Sequence, residues 1–427
     1  MVGVSSLAAL LSACAHPTVP PIGAGGQPFQ PAVDERALWA EGDREEQALF
    51  RTARRYTDPL LDAYLARIAE RLLPASVRAA SGLALRLGVI GDPTLSAFGL
   101  PSGSIYLHTG LMSRLDNEAQ LATVIAREIT HVVERHALVS RREARDGGSI
   151  PTIVAASMSS ASGALSRSSE GDGGAEALLT PTARAILGGK LELLALAAIS
   201  GYGRRLEREA DRGGLDKLVQ AGYDPSQAVE VFERLQQEGD RGGLETFFLG
   251  NRSALADRAA TMRRLVERSR PGTSSTTVGA ITEDEEFHRR MRPVVRDNAL
   301  FDIQSGRFVL ARRQLDHVLS ITPADPLAHL HYGELYRLES QRTRRVDERA
   351  RYLQLALESY QKSIGLEPGL ADAYRQLGLL YYEQKDSARA RDAFAKYLAL
   401  RPDAPDARRV QEYLGTLGPR PDGSGGT

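Results

Sequence analysis

The chain has 427 residues, 42% of them hydrophobic and 25% charged, with Lys plus Arg and Asp plus Glu both totalling 54. That length holds two or three domains at roughly 100–200 residues each, and the composition is that of a folded globular protein. A formal net charge of zero lacks the basic excess of a nucleic-acid binder, so no nucleic-acid partner is expected. The single cysteine, Cys14, leaves no intramolecular disulfide.

Residues 1–14 form a short apolar run closed by Leu11-Ser12-Ala13-Cys14. A membrane span needs about 20 apolar residues, so the run reads as the apolar region of a secretory signal. The tetrapeptide resembles a bacterial lipobox, whose cysteine becomes the lipidated first residue, although no Lys or Arg precedes the run. Ala15 follows the cysteine where an Asp would divert sorting. The resemblance therefore implies a lipoprotein on the periplasmic face of the outer membrane in the bacterial envelope. Residues 15–33, rich in Pro and Gly, read as a flexible tether.

Helices are predicted over 34–56 and 59–73, the second with Leu60, Leu61, Tyr64, Leu65, Ile68 and Leu72 at helical spacing. Short strands follow over 83–90, 95–100 and 104–108, the last two joined by Pro101-Ser102-Gly103. A helix is predicted over 116–140. Residues 146–177 are rich in Gly, Ser and Ala and read as a loop. The apolar helix after Pro181 is interrupted by Lys190 and Glu192, so it reads as buried core. Helices continue through Ala221, turn at Gly222-Tyr223-Asp224-Pro225 and resume to about Gln237. A Ser/Thr/Gly linker over 269–284 closes this domain.

Residues 285–417 repeat. Ile321-Thr322-Pro323, Leu366-Glu367-Pro368 and Leu400-Arg401-Pro402 each end one helix and open the next pair. From Pro368 to Pro402 is 34 residues, the tetratricopeptide period. From Pro323 to Pro368 is 45, which implies an insertion around 340–350. Three repeats and a capping helix over 406–417 are expected, then a tail over 418–427. Stacked repeats of this kind build a concave surface for peptides or partner proteins.

The chemistry-bearing segment is Arg127-Glu128-Ile129-Thr130-His131. In the pattern H-E-x-x-H, two imidazoles four residues apart share one helix face and chelate zinc, and the glutamate activates the metal-bound water. Here the first position is Arg127. A Glu and a His three apart are common on helices, so the neighbouring segments carry the weight. Those are Glu207-Arg208-Glu209-Ala210-Asp211 downstream and Ser96-Ala97-Phe98-Gly99 upstream.

Taken in order over 34–268, these segments resemble the HtpX/BepA-like zinc metallopeptidases, and the repeats fit the BepA-like branch. The resemblance implies an α+β fold: a mostly helical zincin-like peptidase domain with a small β-sheet, then an all-α tetratricopeptide-repeat solenoid. It implies a Zn2+ cofactor with Glu128 as base and His131 and Glu207 as ligands. Asp211 would hydrogen-bond an imidazole, and Ser96, Ala97, Phe98 and Gly99 would form the strand on which a substrate adds. A regulatory histidine of that branch has its counterpart in Gly250-Asn251-Arg252-Ser253, again with arginine. Arginine keeps its proton and has no lone pair for a metal, so impaired or lost activity is expected. His136, five residues past His131, and His108, at a strand end, are not read as replacement ligands. Three readings stay open. One is a metalloendopeptidase in outer-membrane protein quality control. Another is an inactive pseudo-peptidase whose cleft and repeats bind polypeptide clients or envelope assembly machinery. The last is a repeat scaffold with a purely structural first domain.

Overall fold

The computed structural model describes residues 19–24, 28–80, 83–145, 181–239, 252–269 and 284–417. Cys14, the 146–177 loop, Gly250, Asn251, the 418–427 tail and all but the end residues of the 269–284 linker lie outside them. The described residues divide into two compact units. One runs to Ile90 and from Thr94 to Asp284; the other comprises Gly91–Pro93 and the chain from Glu285 on.

The first unit opens with α1 (Val33–Leu49), β1 (Arg55–Tyr56), α2 (Pro59–Leu72) and α3 (Ala75–Ala80). It continues with β2 (Arg86–Ile90), β3 (Ala97–Gly99), β4 (Ser104–His108), α4 (Thr109–Met112), α5 (Glu118–Val133) and α6 (His136–Arg145). After the 146–177 stretch come α7 (Pro181–Gly188), α8 (Glu192–Ala195), a π-turn (Leu196–Ser200), α9 (Arg204–Gln220), α10 (Ser226–Gly239) and α11 (Arg252–Ser269). Helix α2 starts where Asp58 accepts the N–H groups of Leu60 and Leu61 at 2.9 and 3.2 Å, with Pro59 preset in the first turn. The sheet order is β1-β2-β4-β3, parallel between β2 and β4 and antiparallel at both edges. Central β4 is buried throughout, as both of its neighbours and both faces require. Ile90, Phe98, Leu100 and Tyr106 of this layer share one core with Leu138, Leu193 and Leu194.

Four expectations are corrected here. The helix over 34–56 stops at Leu49, because Arg55 and Tyr56 find backbone partners in Ile90 and Val89 and become a strand; a tertiary partner overrides local propensity. The helix over 116–140 is two helices. Arg135 between them takes φ 58, a left-handed conformation costing on the order of 1 kcal/mol for a residue with a Cβ. Its guanidinium compensates by binding both oxygens of buried Glu35 and the Pro20 carbonyl. The helix after Pro181 breaks at Lys190 (φ 50) and restarts where Glu45 accepts the Leu193 and Leu194 N–H groups at 3.2 and 2.8 Å. It is buried core, as read. Among the described residues no helix is long and apolar enough to cross a membrane. Finally, the 15–33 stretch is anchored at one residue, Ile22, which is buried and whose N–H donates to the Val133 carbonyl at 2.9 Å.

The second unit is all helical: Asp284–Gln304 with Phe308–Ile321, Pro326–Arg342 with Val346–Leu366, Ala371–Glu383 with Ser387–Leu400, and a last helix, Ala407–Thr416. The middle pair has 17 and 21 residues against 13 and 14 in the last pair. Those 11 extra residues account for the 45-residue spacing, so the insertion is longer helix and not loop. Each of these pairs closes on a glycine. A Cβ on Gly333 would sit 2.2 Å from Tyr360, and one on Gly378 would sit 2.5 Å from Phe394.

Candidate active site

Helix α5 is buried along nearly its whole length, and its start fixes what the rest presents. Asn117 caps it by accepting the Gln120 N–H at 2.9 Å. Glu118, 1% exposed, accepts the hydroxyls of Tyr64 (2.7 Å) and Tyr223 (2.6 Å) and an Arg71 N–H (3.1 Å). Tyr223 belongs to the Gly222-Tyr223-Asp224-Pro225 turn, so that segment serves to anchor this helix. Helix α9 then crosses close to α5. A Cβ on Gly213 would stand 2.7 Å from the Thr130 methyl, and one on Gly214 would stand 3.1 Å from the Arg127 nitrogen. Glycine at 213 is what allows that approach, and glycine at 214 eases it.

The approach brings together five residues singled out from sequence: Arg127, Glu128 and His131 on α5, Glu207 and Asp211 on α9. The Arg127 guanidinium lies among three carboxylates. Nη1 donates to Glu128 at 2.6 Å, Nε to Asp211 at 3.2 Å, and Nη2 to Glu207. In place of an imidazole, Asp211 takes guanidinium N–H groups, from Arg127 and from Arg258 of α11 at 2.7 and 2.9 Å. Glu207 also accepts the Tyr202 backbone N–H at 3.0 Å.

The charges follow from this arrangement. Burial works against the Arg127 charge, yet Glu207, Glu128 and Asp211 outweigh it and hold the proton more tightly than in free arginine. Burial likewise raises Glu207, but Arg127, then His131 and Arg258, outweigh it and keep that carboxyl well below its usual range. Glu128 goes the other way. Burial pushes it up to about 7, since Arg127 is shared three ways and charged Glu207 stands beside it. Burial also drives His131 well below its ordinary value and His136 down to about 4, so both rings are neutral near pH 7.

His136 is the residue that the sequence reading set aside. On a continuous helix it would leave the His131 face; the break at Arg135 returns it, Nδ1 to Nδ1 at 2.8 Å. One imidazole therefore donates to the other, and the His136 Nε2 is buried without a hydrogen-bond partner. Nothing in the local sequence marks Arg135 as left-handed. Arg258 was missed for a similar reason, being 47 residues from Asp211. His108 is a buried strand-end residue with Nδ1 2.6 Å from the Thr94 hydroxyl.

Strand β3 is the sheet edge next to His131. Ser96 accepts the His108 N–H and Leu100 donates to Ser104, so residues 96, 98 and 100 bond to β4. By alternation, Ala97 and Gly99 turn their backbone groups away from β4, and the π-turn packs against this strand. The expected edge thus presents two of its four residues. Tyr202 lies over this place, its ring 4.9 Å from His131 and its hydroxyl donating to the Gly99 carbonyl at 3.4 Å.

A zinc catalytic centre uses three protein ligands and a water. Here the donors do not fit. Arg127 offers only N–H groups, it engages the Glu207 ligand and the Glu128 base, and among the described residues no three His, Cys, Asp or Glu side chains are placed to hold a metal.

A family model described as Peptidase family M48 matches residues 59–288, and one described as Tetratricopeptide repeat matches residues 344–415. The mitochondrial metalloendopeptidase OMA1 of Schizosaccharomyces pombe is 31% identical over 171 residues, 40% of this chain and 43% of that protein. The putative beta-barrel assembly-enhancing protease of Vibrio cholerae is 28% identical over 202 residues, 47% of this chain and 38% of that protein. The beta-barrel assembly-enhancing protease of Escherichia coli is 28% identical over 191 residues, 45% of this chain and 36% of that protein. In each case the match spans less than half of the relative's length.

Proposed function

From the premise that the chain belongs to peptidase family M48 and carries tetratricopeptide repeats, we propose a non-cleaving member of that family that holds polypeptides through its cleft and repeats. The observation that carries this reading is the engagement of Glu128, Glu207 and Asp211 by one guanidinium. Glu128 is engaged by a fixed cation at 2.6 Å, and an arginine in the first ligand position leaves only His131 and Glu207 of the expected set. The clients are polypeptides or envelope assembly machinery. Support for the envelope comes from the two relatives named for beta-barrel assembly and from the Leu11-Ser12-Ala13-Cys14 tetrapeptide, with a lipid on Cys14 as the outer-membrane anchor.

A second reading, a zinc metalloendopeptidase with Glu128 as base and His131 and Glu207 as ligands, is favoured by the retention of those residues and by the relatives' names. Metal analysis decides between them. Purified protein and an Arg127→His variant are assayed for bound zinc and for casein cleavage, with melting followed before and after EDTA. The first reading expects a metal-free, inert wild type whose melting ignores EDTA. Stoichiometric zinc and casein cleavage in the wild type would overturn it.

A further inference from the structure

We propose that Tyr202 is a built-in cover on the β3 edge, and that an extended polypeptide docks there only after Tyr202 swings away. This deepens the client-holding reading and rests on it. Backbone groups of Ala97 and Gly99 face outward from β3, a spacing that an added strand pairs with through its own alternate residues. One of those groups is already taken, since the Tyr202 hydroxyl donates to the Gly99 carbonyl. The buried ring fills the space between that edge and His131, and it packs in the same core as Phe98 and Leu100. The π-turn also packs against β3 and Tyr202 follows it directly, so a strand arriving at β3 beside His131 meets this segment, with Tyr202 bonded to the edge itself.

The means of opening lie on either side. Gly201 (φ 70) and Gly203 (φ 88) flank the tyrosine, and both left-handed conformations are ones that glycine leaves at little cost. The latch is Glu207, which accepts the Tyr202 N–H with one oxygen while the other receives Arg127. A charge-assisted bond thus holds the backbone of the cover, and the same arginine that fills the metal position stabilises that carboxylate.

The test is binding of a fluorescein-labelled peptide of alternating Thr and Val to the whole protein, followed by polarisation. Tyr202→Ala is expected to bind about tenfold more tightly than wild type, the scale of one hydrogen bond that no longer has to be broken. Ala97→Pro added to Tyr202→Ala removes one outward donor and should abolish the gain. Equal affinity of wild type and a Tyr202→Ala protein with unchanged circular dichroism overturns the cover. Should that variant fail to fold, Tyr202→Leu decides, because it removes the ring and the bond to Gly99 while keeping an apolar side chain in the core: tighter binding supports the cover, unchanged binding overturns it. New amino termini released from the probe by Tyr202→Ala would refute the non-cleaving reading and leave the cover standing.

Discussion

Replacing Arg127 by alanine removes the cation shared by Glu128, Glu207 and Asp211 and leaves only Arg258 beside them. Breaking a buried pair from one side costs about 3–5 kcal/mol. The Arg127 side chain keeps 21% exposure, so the lower end, about 3 kcal/mol, applies. At roughly 2–4 °C per kcal/mol for a unit of this size, melting should fall by about 6–12 °C. The pH dependence has a definite sign. Glu207 is depressed in the fold by Arg127, so its contribution is present above the ordinary carboxylate range and is lost as pH falls through the folded value. Glu128 is raised to about 7, so folding opposes its ionisation and stability declines as pH rises from about 4.5 towards 7. Without Arg127 both carboxylates lose their principal cation, and the deficit against wild type should be larger near pH 7.5 than near pH 5. Differential scanning calorimetry at these two pH values measures it. A variant melting within about 2 °C of wild type at both would refute the claim that Arg127 holds the two motif helices together.

Glu128→Gln keeps an acceptor for Arg127 and removes the group whose ionisation folding opposes, so this variant should equal or exceed wild type in melting temperature above about pH 7. Glu118→Gln should lose about 1.5–3 kcal/mol, because two tyrosine hydroxyls and Arg71 converge on that carboxylate; urea denaturation followed by circular dichroism measures it. Gly378→Ala drives a methyl to 2.5 Å from Phe394, and overpacking of this kind costs about 1–3 kcal/mol, read as a lower melting temperature of the repeats.

What was legible in the sequence was periodic or local. The repeat helices, with their glycine and aromatic positions, follow a fixed spacing, and α2 and the strands β2 to β4 follow from apolar period and turn residues. The residues Arg127, Glu128, His131, Glu207 and Asp211 were found because motif spacing encodes them. What was not legible depends on partners far away in the chain. Arg135 turns left-handed on account of Glu35, a hundred residues earlier, and that turn alone puts His136 against His131. Strand β1 exists because β2 offers it an edge, and Arg258 joins the site from a helix 47 residues beyond Asp211. Such pairings leave no period.

Charge counting shows how the fold accommodates Arg127 among these carboxylates. Three carboxylates, Glu128, Glu207 and Asp211, face Arg258 and whatever occupies the first ligand position. Arg127 and Arg258 bring two positive charges against three negative ones, and an uncompensated buried carboxylate is expensive. The deficit falls on Glu128, the member that burial and its charged neighbour already push up to about 7, where taking up a proton costs little near neutral pH. With a proton on Glu128, the three carboxyl groups and the two guanidinium groups, Arg127 and Arg258, are neutral as a group.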